Sequence, residues 1–174
     1  QKTDANGAVP IVDSSNFAYG YDVMFAKLIA EKLDRELEIV KLDWDSLVPA
    51  VQSGVVDCVI AGQSITSERL MSVDFSTPYY YASIVTLVRA DNETYANATG
   101  IADLAGATAT SQINTVWYDT CLPQIEHVNA LPAKESAPTM LVELYSGTCD
   151  IVVTAMPTAQ AALVAYPDST LLDF

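Results

Sequence analysis

The sequence predicts an α/β protein made of two similar three-layer αβα lobes joined by a hinge. Apolar runs of strand length alternate with helical patterns along the chain, which is typical of βαβ units. Two segments, AVQSGVVDCVI (50–60) and ELYSGTCDIVV (143–153), share one pattern: a helix, Ser-Gly, two residues, Asp and an apolar strand. Hydrophobic residues make up 51% of the 174, which is enough for a substantial core. Two halves built alike indicate two similar lobes.

The first half of the chain supplies two predicted helices and two predicted strands. GYDVMFAKLIAEKLDREL (20–37) has a wide apolar face, and Asp22 can cap its start. A short helix is predicted over 45–52. Strands are predicted at 36–42 and at 55–61, where VVDCVIA is a continuous apolar run typical of a buried parallel strand. Residues 1–15 are mostly polar and contain no clear strand.

The second half repeats this alternation after a long β-rich segment, YYYASIVTLV (79–88), which is predicted to cross between the lobes. We place the lobe boundary after residue 87, which gives lobes 1–87 and 88–174, with the hinge near 81–90. The elements predicted after this crossing are a polar loop at 90–100, a strand at 106–111, a short helix at 115–121, a strand at 125–131, a helix at 137–146, a strand at 149–154, a helix at 157–166 and a strand at 169–174.

The charge balance excludes some classes of partner. The chain carries 22 acidic and 8 basic side chains, a net charge of -14. Nucleic acid and anionic membrane surfaces are therefore poor partners. No apolar run approaches the roughly 20 residues that a membrane-spanning helix needs.

The cysteine and histidine content does not indicate a metal site or a cofactor. Cys58 lies in the apolar run 55–61 and is predicted to be a buried small hydrophobe. Cys121 and Cys149 either form a disulfide or are two free core cysteines, and the spacing alone does not decide between them. The single histidine, His127, falls in a predicted strand, and no histidine cluster or CxxC motif is present.

The loop AGQSITSER (61–69) is the strongest candidate binding site. In open α/β sheets, ligands bind beyond the carboxyl ends of the strands, and this loop begins at such an end. Gly62 lets a ligand approach the backbone, Ser64 supplies a hydroxyl, and a helix that starts at Thr66 would favour an anion. The guanidinium of Arg69 matches a carboxylate with two hydrogen bonds. The alternative is that Arg69 forms a surface ion pair with a neighbouring carboxylate.

Three stretches of the chain carry a resemblance to a known family. The runs GYDVMFAKLIAEKL, DWDSLVPAVQSGVVDCVIAGQSITSERLMSVDFSTPYY and APTMLVELYSGTCDIVVTAMPTA resemble the family-3 extracytoplasmic solute-binding proteins of ABC importers. The resemblance implies the type II periplasmic-binding-protein fold and a small ligand, an amino acid or related carboxylate, held between the lobes by hinge closure. It also implies delivery to a membrane permease, a monomer, and an extracytoplasmic location, periplasmic or lipid-anchored.

The same resemblance implies roles for four residues of the first lobe. Arg69 would grip the ligand's α-carboxylate. The Gly62 carbonyl would accept a hydrogen bond from the α-ammonium, and Ser64 would contribute its N–H or its hydroxyl. Trp44 would stack on the ligand side chain; the alternative is a half-buried tryptophan on the lobe surface.

In the second lobe, the resemblance implies a ligand contact but also shows departures from the family. Thr115, with Asn114, matches a turn that also holds the carboxylate, although a plain helix cap explains Thr115 equally well. The glycine usual in that turn is matched to Ile113. The aspartate that binds the ammonium in many members is matched to Ala155. An acidic residue in a missing N-terminal part could therefore supply that charge, or the ligand is a different carboxylate.

The resemblance also implies that the chain lacks the family's first strand and the segment that returns to complete the first lobe, so the first lobe is expected to be partial. Two other functions remain as alternatives: a ligand-binding sensor domain of a signalling receptor, and a dehydratase of the same fold. We expect no enzyme, because the pocket candidates include no placed acid or base. Ser64 and His127 are not expected to form a nucleophilic pair, since no orienting acid accompanies them.

Overall fold

The structure, a computed structural model, describes residues 7–174, and the chain divides into two compact units, Gln1–Thr77 and Pro78–Phe174. The first unit contains strands β1 (Val9–Pro10) and β2 (Phe17–Ala18) and helices α1 (Tyr21–Lys32), α2 (Leu47–Gln52) and α3 (Ser67–Leu70). The second unit contains strands β3 (Ile84–Arg89), β4 (Thr108–Thr110), β5 (Asn129–Ala130), β6 (Ile151–Ala155) and β7 (Ser169–Leu172) and helices α4 (Ala137–Tyr145) and α5 (Met156–Ala165). The α/β class is confirmed.

Short 3-10 and π segments complete the helical content. In the first unit a 3-10 turn, Trp44–Ser46, leads directly into α2, so the predicted 45–52 helix is confirmed in position. In the second unit a π-helix, Trp117–Cys121, continues into a 3-10 turn, Leu122–Gln124. These occupy the place of the predicted 115–121 helix.

The first unit is held by very little strand pairing. β1 and β2 form a two-stranded antiparallel hairpin, and Ile11 forms a single parallel bridge with Ile39. The N–H of Val12 donates to the carbonyl of Ile39 at 2.8 Å. The predicted absence of a strand before residue 16 is therefore wrong, because β1 lies at residues 9–10.

Two predicted strands of the first unit are not formed in the described chain. Residues 36–42 have only the Ile39 bridge, and residues 55–61 have no strand pairing. An apolar run becomes a strand only where a neighbouring strand takes its N–H and C=O groups. As a consequence Cys58 is exposed, and the prediction that it is buried is wrong.

Helix α1 is confirmed, although it ends at Lys32 and not at 37, and its predicted cap is not formed. Gly20 is the N-cap residue, with φ 132°, and no side chain caps the helix end. Asp22 lies one residue inside the helix, where its negative charge favours the positive end of the helix dipole. None of the helix residues is fully buried.

The second unit is built on a five-stranded mixed sheet. The strand order is β5-β4-β6-β3-β7, with β4 parallel to β5 and β6, and β3 antiparallel to β6 and β7. The centre of the sheet is apolar on both faces, as expected for strands covered on two sides. Strand β3 is the longest, and its four central residues are all buried.

Two hydrophobic clusters cover the two faces of this sheet, which makes the unit three layers thick. One cluster contains Leu104, Leu122 and Ile151, and the other contains Leu87, Met140 and Leu144. Cys149 belongs to the second cluster, whereas Cys121 packs against the first. Both are free thiols, so the disulfide alternative is excluded in this structure by their positions on opposite faces.

The internal repeat is visible as a shared helix ending. After α2, the N–H of Val55 donates to the carbonyl of Ala50 and that of Gly54 to Val51; Gly54 has φ 73°. After α4 the same two bonds form from Thr148 to Glu143 and from Gly147 to Leu144, and Gly147 has φ 80°. Both endings are Schellman motifs, which require a left-handed residue that glycine provides without steric cost.

The predicted lobe boundary after residue 87 falls inside β3, ten residues beyond the end of the first compact unit. β3 lies between β6 and β7 in the sheet, so its pairing ties the whole strand to the second unit. The assignment of lobes 1–87 and 88–174 stays a prediction. Within the second unit, the predicted strand at 125–131 is reduced to β5, because His127 adopts φ 53° just before it.

Candidate functional site in the loop around Arg69

The loop that follows residues 55–61 turns into α3 at Thr66. Thr66 is the N-cap residue of this short helix, and its Oγ1 accepts a hydrogen bond from the N–H of Arg69 at 3.2 Å. The sequence Thr-Ser-Glu-Arg carries the usual spacing of such a cap. The Thr66 hydroxyl therefore fixes the backbone of Arg69.

The guanidinium of Arg69 is held by two further contacts within the first unit. Its Nη1 donates to the carbonyl oxygen of Ser64 at 2.7 Å, and its Cζ lies 5.9 Å from the centroid of the Trp44 ring. That distance is within the range of a cation–π contact. The structure thus brings Arg69, Ser64 and Trp44 together, as residues of one candidate site.

Gly62 has a backbone conformation that glycine favours. Its φ is 60°, and apart from Gly62 and its two chain neighbours no residue lies within 4 Å of the position that a Cβ would occupy. The space beside the backbone is therefore open, as close approach by a ligand requires. Ser64 contributes its carbonyl to Arg69, whereas the predicted ligand contacts of its N–H or hydroxyl stay predictions.

In the second unit, Thr115 is buried and already hydrogen bonded. Its Oγ1 donates to the carbonyl of Gln112 at 2.7 Å and accepts from the N–H of Tyr118 at 3.4 Å. These contacts support the cap interpretation that the sequence left open. Thr115 is 4% exposed, so a ligand would meet Asn114, which is exposed, before it met the Thr115 hydroxyl.

The turn before Thr115 contains one left-handed residue. Asn114 has φ 53°, whereas Ile113 has an ordinary negative φ. The left-handed position of this turn is therefore Asn114, and the match of the family's glycine to Ile113 stays a prediction. Asparagine is the residue that most readily replaces glycine in the left-handed region, so the turn forms without one.

Ala155 lies at the carboxyl end of β6, where it is the N-cap residue of α5 without a side-chain cap. The first N–H of that helix, from Met156, donates to the carbonyl of Ser83. Pro157, the next residue, has no N–H. This strand end consequently offers no carboxylate from Ala155 and few backbone donors.

The second unit also contains a cavity and an exposed histidine. A cavity of about 170 Å³ is lined mainly by apolar side chains. Thr86, Cys121 and Gln124 also line it, whereas Asn114 and Thr115 do not. His127 is exposed, and its Nε2 lies 3.3 Å from a carboxylate oxygen of Glu126.

Residues 7–174 contain neither a cluster of metal-ligating side chains nor a helix that could span a membrane. Among these residues no three His, Cys, Asp or Glu side chains are grouped so that they could hold a metal ion. None of the helices found there combines the length and the apolar character needed to cross a bilayer.

Comparison with known proteins assigns the class. Residues 5–171 match the bacterial extracellular solute-binding proteins, family 3. The arginine-bound form of truncated ArgBP from T. maritima superposes with a TM-score of 0.80 at 32% identity, covering 92% of this chain and 74% of that one. The fold is therefore that of the type II periplasmic binding proteins. The chain belongs to family 3 of the bacterial extracellular solute-binding proteins.

Curated relatives extend this assignment. The arginine-binding extracellular protein ArtP of Bacillus subtilis is 35% identical over 97 residues, which cover 56% of this chain and 36% of ArtP. A probable histidine-binding protein of Campylobacter jejuni is 29% identical over 149 residues, covering 86% of this chain and 56% of that protein. The chain thus spans between about a third and somewhat more than half of the relatives' length.

Proposed function

We propose that this chain is the ligand-binding part of the extracytoplasmic receptor of an ABC importer, and that its ligand is an amino acid or a related small carboxylate. The observation that carries the proposal is the fixed guanidinium of Arg69. Its Nη1 donates to the Ser64 carbonyl, and its Cζ lies 5.9 Å from the centroid of the Trp44 ring. The Thr66 cap fixes the backbone of Arg69. A pre-placed guanidinium binds a carboxylate with little loss of side-chain entropy.

Within this proposal each first-unit residue has a role. Arg69 binds the ligand's α-carboxylate, and the Gly62 carbonyl accepts from the ligand's ammonium. Ser64 adds its N–H or hydroxyl, and Trp44 stacks on the ligand side chain. The left-handed backbone and open space at Gly62 support close approach there.

In the second unit, Asn114 and Thr115 would complete the carboxylate contacts. The hydrogen bonds of Thr115 within its own turn favour a contribution from the turn's backbone over one from the hydroxyl. Ala155 cannot pair with an ammonium. The ligand therefore either finds another acid for its amino group or lacks a free α-amino group.

The remaining parts of the proposal concern the whole protein. Hinge closure would trap the ligand, and the closed receptor, a monomer, would dock on a membrane permease. Its location would be periplasmic or, by a lipid anchor, on the cell surface. We expect no catalysis, since binding and release require no acid–base group.

The test is a thermal-unfolding screen of the mature full-length protein against the common amino acids and a set of carboxylates without an α-amino group. A ligand at 100 times its dissociation constant stabilises by about 2.7 kcal/mol, a shift of several degrees for a protein of this size. Arg69→Lys should abolish the shift. Arg35→Lys is the matched control, because Arg35 is an exposed arginine of the same unit, and it should retain the shift.

The outcomes separate the ligand classes. A shift with amino acids that disappears in Arg69→Lys supports an amino-acid receptor in which another acid replaces Ala155. A shift only with carboxylates that lack the amino group supports the second class of ligand. No shift with either class, or a full shift in Arg69→Lys, contradicts the proposal.

A further inference from the structure

The sheet of the second unit is covered differently on its two faces. The regular helices α4 and α5 cover the face with the second hydrophobic cluster. The face with the first cluster is covered mainly by short segments: the 3-10 turn Ile101–Leu104, the π-helix Trp117–Cys121 and the 3-10 turn Leu122–Gln124. Regular helices pack through long rows of side chains, which such short segments lack. The cavity of about 170 Å³ lies under this second kind of cover.

The cavity extends from the core of the second unit to its surface. Ile125 and Val153, which line it, are 3% and 4% exposed, whereas Ile101 and Phe174, which also line it, are 45% and 48% exposed. A small molecule therefore has a path of entry. Protein interiors contain few voids larger than a water molecule, because an unfilled void lowers stability. An apolar cavity of about 150 Å³ is large enough to bind benzene.

One polar group beside the cavity has no partner. Thr86 lies on β3 between Ile84 and Val88, and both of these residues pack with the first cluster, on the cavity side of the sheet. Thr86 lines the cavity and is 7% exposed. Among residues 7–174 its hydroxyl forms no hydrogen bond. A buried hydroxyl without a partner costs free energy, and a ligand that hydrogen bonds to it offsets that cost.

We infer that this cavity binds a small uncharged molecule that has an apolar body and one hydrogen-bonding group, such as a hydroxyl. The apolar body contacts Leu104, Ile125 and Val153, and the polar group bonds to the Thr86 hydroxyl. None of the residues of 7–174 that line the cavity has a charged side chain, so an amino acid or a free carboxylate would bury an unpaired charge there. The inference does not rest on the proposed function, because the loop around Arg69 belongs to the first unit.

The binding test uses phenol, toluene and benzoate as probes of similar size, with the full-length protein and NMR titration. Phenol should bind with a dissociation constant of about 1 mM, the affinity that burial of about 150 Å² of apolar surface gives. Toluene should also bind, since it fills the same apolar space. Benzoate should bind at least about 10-fold more weakly than phenol, because its carboxylate finds no cation in the cavity.

A pair of threonine variants tests the hydrogen bond. Thr86→Val removes the hydroxyl and should weaken phenol by about 3- to 10-fold while leaving the affinity for toluene within about twofold. Thr154→Val is the matched control. Thr154 is also buried without a hydrogen-bond partner, but its cross-strand neighbour Val85 belongs to the second cluster, and Thr154 does not line the cavity. It should leave both affinities unchanged, and melting temperatures check that both variants are folded.

A second measurement needs no variant. Cys121 lines the cavity, and burial raises the pKa of its thiol, so it reacts slowly with iodoacetamide. Phenol at about 10 times its dissociation constant should slow the labelling of Cys121 by about 10-fold, because about nine-tenths of the cavities are then occupied. Cys58, which is exposed in the first unit, should be labelled at an unchanged rate.

The outcomes decide the inference in either direction. Weaker phenol binding in Thr86→Val with toluene binding retained, together with protection of Cys121, supports it. No binding of phenol or toluene overturns it, because the cavity is then filled or closed in solution. Equal phenol affinity with and without the Thr86 hydroxyl also overturns it, as does benzoate binding as tightly as phenol. Unprotected Cys121 in a protein that binds phenol places the phenol elsewhere and overturns it as well.

Discussion

The two units of this chain differ in how many of their residues are buried and in how much strand pairing they contain. In the described part of the first unit, only Ala8, Val9 and Ala50 are buried, and the strand pairing is one two-residue hairpin with a single bridge. The second unit has a five-stranded sheet with a hydrophobic cluster on each face. The strongest candidate for ligand binding, the loop around Arg69, nevertheless lies in the first unit.

This difference shows that the loop proposed to bind ligand can be locally ordered without a large core beneath it. The Thr66 cap, the Ser64 carbonyl and the Trp44 ring all lie within 25 residues of Arg69 in sequence. Short-range contacts of this kind cost little loop-closure entropy. The sheet of the second unit, by contrast, depends on pairing between distant strands, such as β3 with β6 and β7.

The largest expected effect compares one leucine from each unit. Leu144 is fully buried beneath the sheet, whereas Leu28 on α1 is 55% exposed. Leu144→Ala should lower the free energy of unfolding by about 2–5 kcal/mol, because it removes packed methyl groups and leaves a cavity. Leu28→Ala should change it by less than about 0.5 kcal/mol. Urea unfolding followed by circular dichroism measures both, and equal losses would contradict the contrast between the units.

Replacing the two equivalent aspartates of the internal repeat, Asp57 and Asp150, should give the next largest change in the free energy of unfolding. The carboxylate of Asp150 accepts from the N–H of Thr108 at 2.9 Å and from the side-chain amide of Asn92 at 3.3 Å. Asp150→Ala leaves these donors without their acceptor and should cost about 1–3 kcal/mol in the same unfolding experiment. Asp57, its repeat partner, is exposed, so Asp57→Ala should cost less than about 0.5 kcal/mol. A large loss for Asp57→Ala would show that the first unit uses its aspartate as the second does.

The helix-ending glycines should, unlike the aspartates, behave alike in the two units. Gly54→Ala and Gly147→Ala each place a Cβ on a left-handed residue, with φ 73° and 80°, and each should cost about 1–2 kcal/mol. Gly100→Ala is the control, because Gly100 has φ -168° and an open Cβ position. It should be neutral or slightly stabilising, since alanine restricts the unfolded chain. Unequal losses of unfolding free energy for Gly54→Ala and Gly147→Ala would mean that only one of the two Schellman motifs contributes to stability.

The smallest expected effect on the fold comes from labelling the cysteines, whose reaction rates should differ between the two units. Burial, with the charges of Glu143 and Asp150 adding to it, raises the pKa of Cys149 to about 12, and burial alone raises the pKa of Cys121. Only the thiolate reacts with iodoacetamide, so at about pH 8 Cys149 should be labelled last. Cys58, which is exposed, should be labelled first and without loss of structure. Peptide mass spectrometry gives the order, and early labelling of Cys149 would show that the second unit opens readily.

Local patterns in the sequence predicted much of the secondary structure. The apolar face of 20–37 predicted α1, and the segments 137–146 and 157–166 predicted α4 and α5 within one residue at their starts. The Ser-Gly pairs predicted both helix endings. Helices and their caps use bonds between residues at most a few positions apart, so the sequence contains the information for them.

For the candidate site, the sequence named residues but not their contacts, and the ligand-binding roles of these residues stay predictions. Gly62, Ser64, Trp44 and Arg69 were all named from sequence, whereas the approach of the Trp44 ring to the guanidinium was not. That contact depends on the tertiary placement of Trp44 relative to α3. Hydrophobic periodicity in the sequence does not predict such a placement. The same reason explains why His127 was placed in a strand although its φ of 53° puts it in a turn.

The sequence by itself determined the α/β class, the helices, the repeat and the loop that carries Arg69. The tertiary structure alone decided which apolar runs became strands. Residues 149–154 and 55–61 are equally apolar in pattern, yet only the first is a strand, because β6 has β4 on one side and β3 on the other. A strand exists only through hydrogen bonds to a partner that is distant in sequence, whereas a helix supplies its own.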